Sequence, residues 1–269
     1  SRWSDEDAAA FVARYGDEYG EQLALRTYSS RLLGSEPHLV LHGGGNTSVK
    51  ATWPSLLGEE MAAIFVKGSG LDMASIEPGG HPGLDLEYLR RLRTLSELDD
   101  EAMVEQLRTH LLRADSPTPS IEALVHAFLP ATFIDHTHAD AILALSNREN
   151  GLEIVREALG ERVIVLPYVT PGFQLALAAA AALEAQPAAE GMVWSHHGLV
   201  TWGKTARESY EAMIALVSRA EDYLQARRRH VTAVATSWGG ESPASQAADS
   251  SLLATVAPLV RGALAEPSG

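Results

Sequence analysis

Short apolar stretches that run into glycine-rich loops, alternating with longer segments whose apolar residues recur at helical spacing, predict an α/β fold. A polar tail predicts one domain over residues 1–232, followed by a linker and a short C-terminal helix over 233–269. Of 269 residues, 46% are apolar and 21% charged, the balance of an ordinary folding chain and not of a disordered or fibrous one.

The elements follow in order. Ser4, with Asp7 three residues on, has capping-box spacing and opens a helix carrying Phe11, Val12 and Tyr15 on one face. A second helix is expected from about Asp17 to Leu33, stopping at Gly34. His38 to His42 is short and apolar, runs into Gly43-Gly44-Gly45-Asn46 and resumes as Thr47 to Lys50, which predicts strand, glycine turn, strand. Ala62 to Val66 predicts another strand, ending in Lys67-Gly68-Ser69-Gly70. Amphipathic spacing predicts helices from Leu84 to Leu95 and from Asp99 to Leu112, halted by Ser116-Pro117-Thr118-Pro119, and a third from near Ser120 to Pro130. Thr132 to His138, Arg162 to Leu166, Met192 to Ser195 and Leu199 to Trp202 are strand-like, with an Ala-rich helix from about Phe173 to Ala185 among them. A long helix from Thr205 to about Arg229 leads to linker composition over Thr236 to Pro243 and a terminal helix over Leu252 to Leu264.

Charge and residue usage exclude several function classes. Lys and Arg number 21 against 35 Asp and Glu, and the net charge of -14 repels a phosphate backbone and an anionic membrane alike, so neither is an expected partner. The absence of cysteine excludes disulfides, thiolate zinc sites, thiol nucleophiles and iron–sulfur clusters, which leaves histidine and carboxylate to hold any metal. Ser1 to Asp7 lacks a basic and apolar leader pattern, and no run of about 18 apolar residues occurs, so a soluble cytoplasmic protein is expected.

Ten histidines invite a search for a metal. On a strand, His136 and His138 project from one face and can converge on one cation at about 2.0–2.1 Å, although the same spacing serves two polar residues on a solvated face. In Ser195-His196-His197-Gly198 the two imidazoles point to opposite faces, so only one can join a site, and periodicity does not say which. Glu122 lies one helical turn before His126; the pair is either structural or includes a general base for a carbon acid. The two glycine loops offer N–H groups, an amide and a hydroxyl that suit a phosphate, without matching a P-loop or a dinucleotide fingerprint. Arg227 to His230 is assigned to the C-terminal end of the long helix, where cations complement the dipole.

Gly45-Asn46-Thr47-Ser48, Lys67-Gly68-Ser69-Gly70, Pro119-Ser120-Ile121-Glu122, His136-Thr137-His138 and His197-Gly198-Leu199 resemble, in order, the motifs of the class II aldolase/adducin family, over roughly residues 20 to 230. The resemblance implies an α/β sandwich with a central, mostly antiparallel sheet flanked by helices, assembled as a homotetramer with sites at subunit interfaces. It implies a Zn2+ cofactor held by His136, His138 and His197, with Glu122 as acid/base. Asn46, Ser69, Gly70 and Ser120 match positions that hold a substrate phosphate, and Tyr168, in Leu166 to Gly172, matches a proton donor that reaches a neighbouring subunit's site. Ile121 stands where a second Ser is frequent, which removes one hydroxyl from the phosphate pocket, and the interval from Glu122 to His136 is shorter than in the small sugar-phosphate aldolases. Both features look like the aldolase half of fused rhamnulose-phosphate aldolase/short-chain dehydrogenase proteins. The implied reaction is cleavage of a ketose, such as rhamnulose or fuculose 1-phosphate, to dihydroxyacetone phosphate and an aldehyde through an enediolate. The alternatives are epimerisation, dehydration or decarboxylation of a small sugar acid or phosphate, and a non-catalytic assembly module as in adducin.

Overall fold

A computed structural model describes residues 1–237, with seven strands in one sheet: β1 (Asn46–Pro54), β2 (Glu60–Val66), β3 (Gly83–Asp85), β4 (Phe133–Thr137), β5 (Val163–Leu166), β6 (Gly191–Trp194) and β7 (Gly198–Gly203). Their order is β3-β2-β1-β4-β7-β6-β5, and every neighbouring pair is antiparallel except β5 with β6. The expected mostly antiparallel sheet flanked by helices is the fold observed.

The helices are α1 (Asp5–Tyr19), α2 (Glu21–Gly34), α3 (Leu86–Leu92), α4 (Asp100–Thr109), α5 (Ala123–Phe128), α6 (Asp140–Ser146), α7 (Gly151–Leu159), α8 (Phe173–Ala185) and α9 (Ala206–Ser237). Strand alternation splits the core. Ile64, Ile134, Met192, Trp194 and Val200 pack with apolar residues of α3, α4, α5 and α8, whereas Val163, Val193 and Leu199 pack with those of α2, α6, α7 and α9. Residues 1–224 form one compact unit. Among the described residues no helix is long and apolar enough to cross a membrane.

Several boundaries differ from the sequence expectation, each for a local reason. His38 to His42 is not a strand: the Leu39 and Val40 amides both bond the Glu36 carbonyl in a turn, and the two side chains are buried beside Leu33 and Met73. Leu84 belongs to β3, pairing with Ile64, and the helix starts only at Leu86, behind an Asp85 side chain that accepts from the Tyr88 amide. The first two helices divide at Gly20, whose φ is 83°, and not near Asp17, where the second was expected to begin. No element was expected between residues 139 and 161, where α6 and α7 lie. The long helix extends past Arg229 to Ser237; from 238 onward, the expected linker and terminal helix lie outside the described residues.

Register places one end of three strands together. Asn46, first in β1, pairs with His136 near the end of β4, and His136 pairs on its other side with Val200, close to the start of β7.

Candidate metal centre and its carboxylate

His136 shares a face of β4 with Ile134, is fully buried, and lies against the Trp194 ring at 4.7 Å between centroids. Its strand neighbours turn the other way: Asp135 pairs with Arg26, and the Thr137 hydroxyl donates to Met213. His138, just past the strand, returns to the side of His136, with the two Nε2 atoms 3.1 Å apart. The third member comes from the β6–β7 turn. There His196 adopts a left-handed φ of 59° and the His197 amide closes the turn on the Trp194 carbonyl at 3.0 Å. That geometry sends His197 into the site and leaves His196 exposed beside Asn147, which resolves the choice periodicity left open. Gly198 is required next, because a Cβ there would fall 2.2 Å from the Thr137 carbonyl oxygen.

One ligand atom from each of His136, His138 and His197 lies within 4.8 Å of the others. A tetrahedral zinc with nitrogens at 2.0–2.1 Å needs them about 3.4 Å apart. Because a carbonyl only accepts, His136 Nδ1 must donate to Leu199 O, 3.1 Å away, so its Nε2 carries a lone pair toward His138. Burial pushes the His136 imidazole down to about 3 and lowers His138 as well, so neither holds a proton at neutral pH to screen that approach. A bound cation is what these neutral nitrogens fit.

Glu122 caps the start of α5 and is 4% exposed. Its Oε1 lies 3.1 Å from His197 Nε2 and its Oε2 3.5 Å from His136 Nε2. Burial alone would raise its carboxyl, but His136, His197 and the Asn46 amide together hold it well below the usual carboxylate range. Asn46 Nδ2 donates to Glu122 Oε2 at 2.5 Å and to Ser120 Oγ at 3.1 Å. Glu122 and His126 do not touch as a helical pair: Asn46 stands between them, its Oδ1 2.5 Å from His126 Nε2.

The remaining expected residues divide. Ser120 is buried and joins this network. Ser69 and Gly70 lie exposed on a loop whose Gly68 bridges to Pro119, just before Ser120. Lys67, buried and lowered by that burial to about 8, donates to the carbonyls of Gly43, Gly68 and Leu71, tying the two glycine loops together. Tyr168 is 57% exposed and stands beside His196, ring centroids 6.4 Å apart, away from the triad. Sequence reasoning passed over Ser48 and Lys50. Ser48 Oγ is 2.7 Å from His126 Nδ1, and Lys50 Nζ donates to the His126 and Ala131 carbonyls. The signal was present, since Asn46, Ser48 and Lys50 alternate along β1 and so share a face.

The family profile for the class II aldolase and adducin N-terminal domain matches residues 26–224. The uncharacterized oxidoreductase YuxG of Bacillus subtilis is 38% identical over 242 residues, 89% of this chain but 34% of its own length. The chain thus spans about a third of that relative. The N-terminal class II aldolase domain of a conserved protein from Thermoplasma acidophilum is 39% identical with a TM-score of 0.71, over 75% of this chain and 93% of that one. An L-fuculose-1-phosphate aldolase from Thermus thermophilus shares the fold at 21% identity and a TM-score of 0.50, over 78% and 96% of the two chains. With the profile covering most of its length and a histidine triad able to hold a metal in place, this chain belongs to the class II aldolase/adducin family.

Proposed function

We propose that the protein is a zinc-dependent aldolase that cleaves a ketose, such as rhamnulose or fuculose 1-phosphate, to dihydroxyacetone phosphate and an aldehyde. The observation that carries this reading is a buried carboxylate, Glu122, set 3.1 and 3.5 Å from two nitrogens of the histidine triad. Zinc held by His136, His138 and His197 would act as a Lewis acid on the ketone and its neighbouring hydroxyl, stabilising the charge left when the carbon–carbon bond opens. Glu122 stays ionised at neutral pH, so it can take a proton from the hydroxymethyl carbon in condensation and return it in cleavage.

Ser120, the Ser69 hydroxyl and the Gly70 backbone are the groups proposed to meet the phosphate. Tyr168, exposed on its own subunit, is proposed as the proton donor to a neighbour's site in a cytoplasmic homotetramer, which sedimentation analysis tests. An aldehyde product also suits a relative named an oxidoreductase, of which this chain accounts for 34%. One observation favours the alternatives of epimerase, dehydratase or decarboxylase: both Asn46 amide hydrogens are committed to Glu122 and Ser120 and not open to a phosphate.

Metal content of the protein and of His136→Ala, with retro-aldol assays on both ketose phosphates, tests the proposal. Near-stoichiometric zinc, lost in the variant, with dihydroxyacetone phosphate released by the wild type, is the expected result. Glu122→Gln should keep the metal and lose about 10²–10⁴-fold in turnover. Zinc without cleavage would move the reading to the alternatives, and no metal binding at all would leave a non-catalytic assembly module.

A further inference from the structure

We propose that Ser48 and His126 are positioning residues that lock the Asn46 amide and, through it, aim the Glu122 carboxylate; this rests on the reading of Glu122 as the acid/base.

The four groups form one chain of hydrogen bonds with a single polarity. Asn46 presents its amide nitrogen to Glu122, Nδ2 donating to the carboxylate oxygen Oε2 at 2.5 Å. The amide oxygen then faces His126 Nε2 at 2.5 Å, so that ring nitrogen carries the proton. Burial keeps His126 neutral, with a pKa lowered to about 3, which leaves Nδ1 bare and able to accept from the Ser48 hydroxyl at 2.7 Å. Donation therefore runs from Ser48 to His126 to Asn46 to Glu122. His126 is fully buried and Asn46 is 4% exposed, so solvent offers neither a substitute partner. Lys50 fixes the other end of the device, holding the His126 and Ala131 carbonyls at 2.8 and 2.6 Å.

An amide has no electrostatic reason to prefer either flip until its two ends meet different partners. Here His126 demands oxygen and Glu122 demands nitrogen. Were the imidazole to shift its proton to Nδ1, Nε2 would repel the amide oxygen and the flipped amide would press oxygen against the carboxylate. The tautomer that Ser48 supports by donating to Nδ1 is thus coupled, through the amide, to the carboxylate. With Oε2 held by Asn46, Oε1, on the side of His197, is left as the oxygen that exchanges the proton.

The test compares two replacements of similar size with different reach. The amide of His126→Gln extends to the place of Nε2 and can still donate to Asn46, while that of His126→Asn extends only to the place of Nδ1. Activity is read as dihydroxyacetone phosphate release from ketose 1-phosphates and as solvent deuterium exchange into dihydroxyacetone phosphate. His126→Gln should keep most of the wild-type kcat, and His126→Asn should lose about 10–100-fold in kcat with KM and metal content little changed. Equal losses in both would overturn the relay. Independently of any reaction, ¹⁵N spectra of the wild type should give His126 as the Nε2–H tautomer, moving toward Nδ1–H in Ser48→Ala; a wild-type Nδ1–H ring would also overturn it. If the wild type neither cleaves nor exchanges, the aldolase reading falls and the ring tautomer alone decides the relay.

Discussion

Behind His136, on the opposite face of β4, Asp135 and Arg26 form an ion pair at 2.5 Å with both side chains fully buried. Burial lowers the Arg26 guanidinium and raises the Asp135 carboxyl, and each is offset by the other's charge. Ser209 donates to Asp135 at 2.6 Å, and Arg26 reaches the carbonyls of Ser48 and Ile134, so the pair ties α2 and α9 to the two strands that carry Asn46 and His136. Removing one partner strands the other charge in a dry interior. Asp135→Asn is therefore expected to destabilise the fold by about 3–5 kcal/mol in urea titrations, and the double replacement Arg26→Met with Asp135→Leu to recover most of that loss. A single mutant no weaker than the double would show that the charges are not coupled. The sequence did not announce this pair, because Arg26 on α2 and Asp135 on β4 are far apart in the chain and meet only where the helix packs on the sheet.

At the scale of elements, β7 must approach β4 closely enough to bring His197 beside His136, and Gly198 permits it. A methyl group there would lie 2.2 Å from the Thr137 backbone oxygen, which cannot move without parting the strands, and 3.0 Å from Cε1 of the His136 ring. Gly198→Ala should cost about 1–3 kcal/mol by overpacking and, more tellingly, lower metal affinity. Gly160→Ala, at a φ of 82° with open space around it, serves as the control: stability falls slightly and metal binding is retained. Equal metal affinity in the two variants would remove Gly198 from the design of the site. The same local rules explain what was legible. His136-Thr137-His138 carried its own geometry, because strand alternation fixes the face of both imidazoles. His38 to His42 misled, because Leu39 and Val40 are apolar for a turn that plugs the core as readily as for a strand. Glu122 and His126 were expected to meet on one helix face, yet the amide that stands between them comes from β1, and helical spacing carries no information about a strand.

For the whole molecule, the buried imidazoles and ammonium groups bias stability in one direction across pH. His81, His126 and His136 are each pushed by burial to about 3, against about 6.5 in an unfolded chain. Below about 6.5 the unfolded state takes up protons that the native state refuses, so stability falls as pH drops toward 3. Each group contributes at most about 1.4 kcal/mol per pH unit in that interval. Lys50 and Lys67, lowered by burial to about 7 and 8, act on the alkaline side: above those values the native state has shed protons that the unfolded chain keeps to about 10.4, so stability rises with pH there too. Unfolding midpoints in urea should therefore climb from about pH 5 to about pH 9, with the steepest change between about 5 and 6.5, above the range where most carboxylates titrate. Bound metal reinforces the acid limb, since protons compete for His136, but the metal-free chain should keep the part that belongs to His81 and His126. A metal-free profile that is flat between pH 5 and 7 would mean that these imidazoles are reached by water in solution and are not held neutral by the fold.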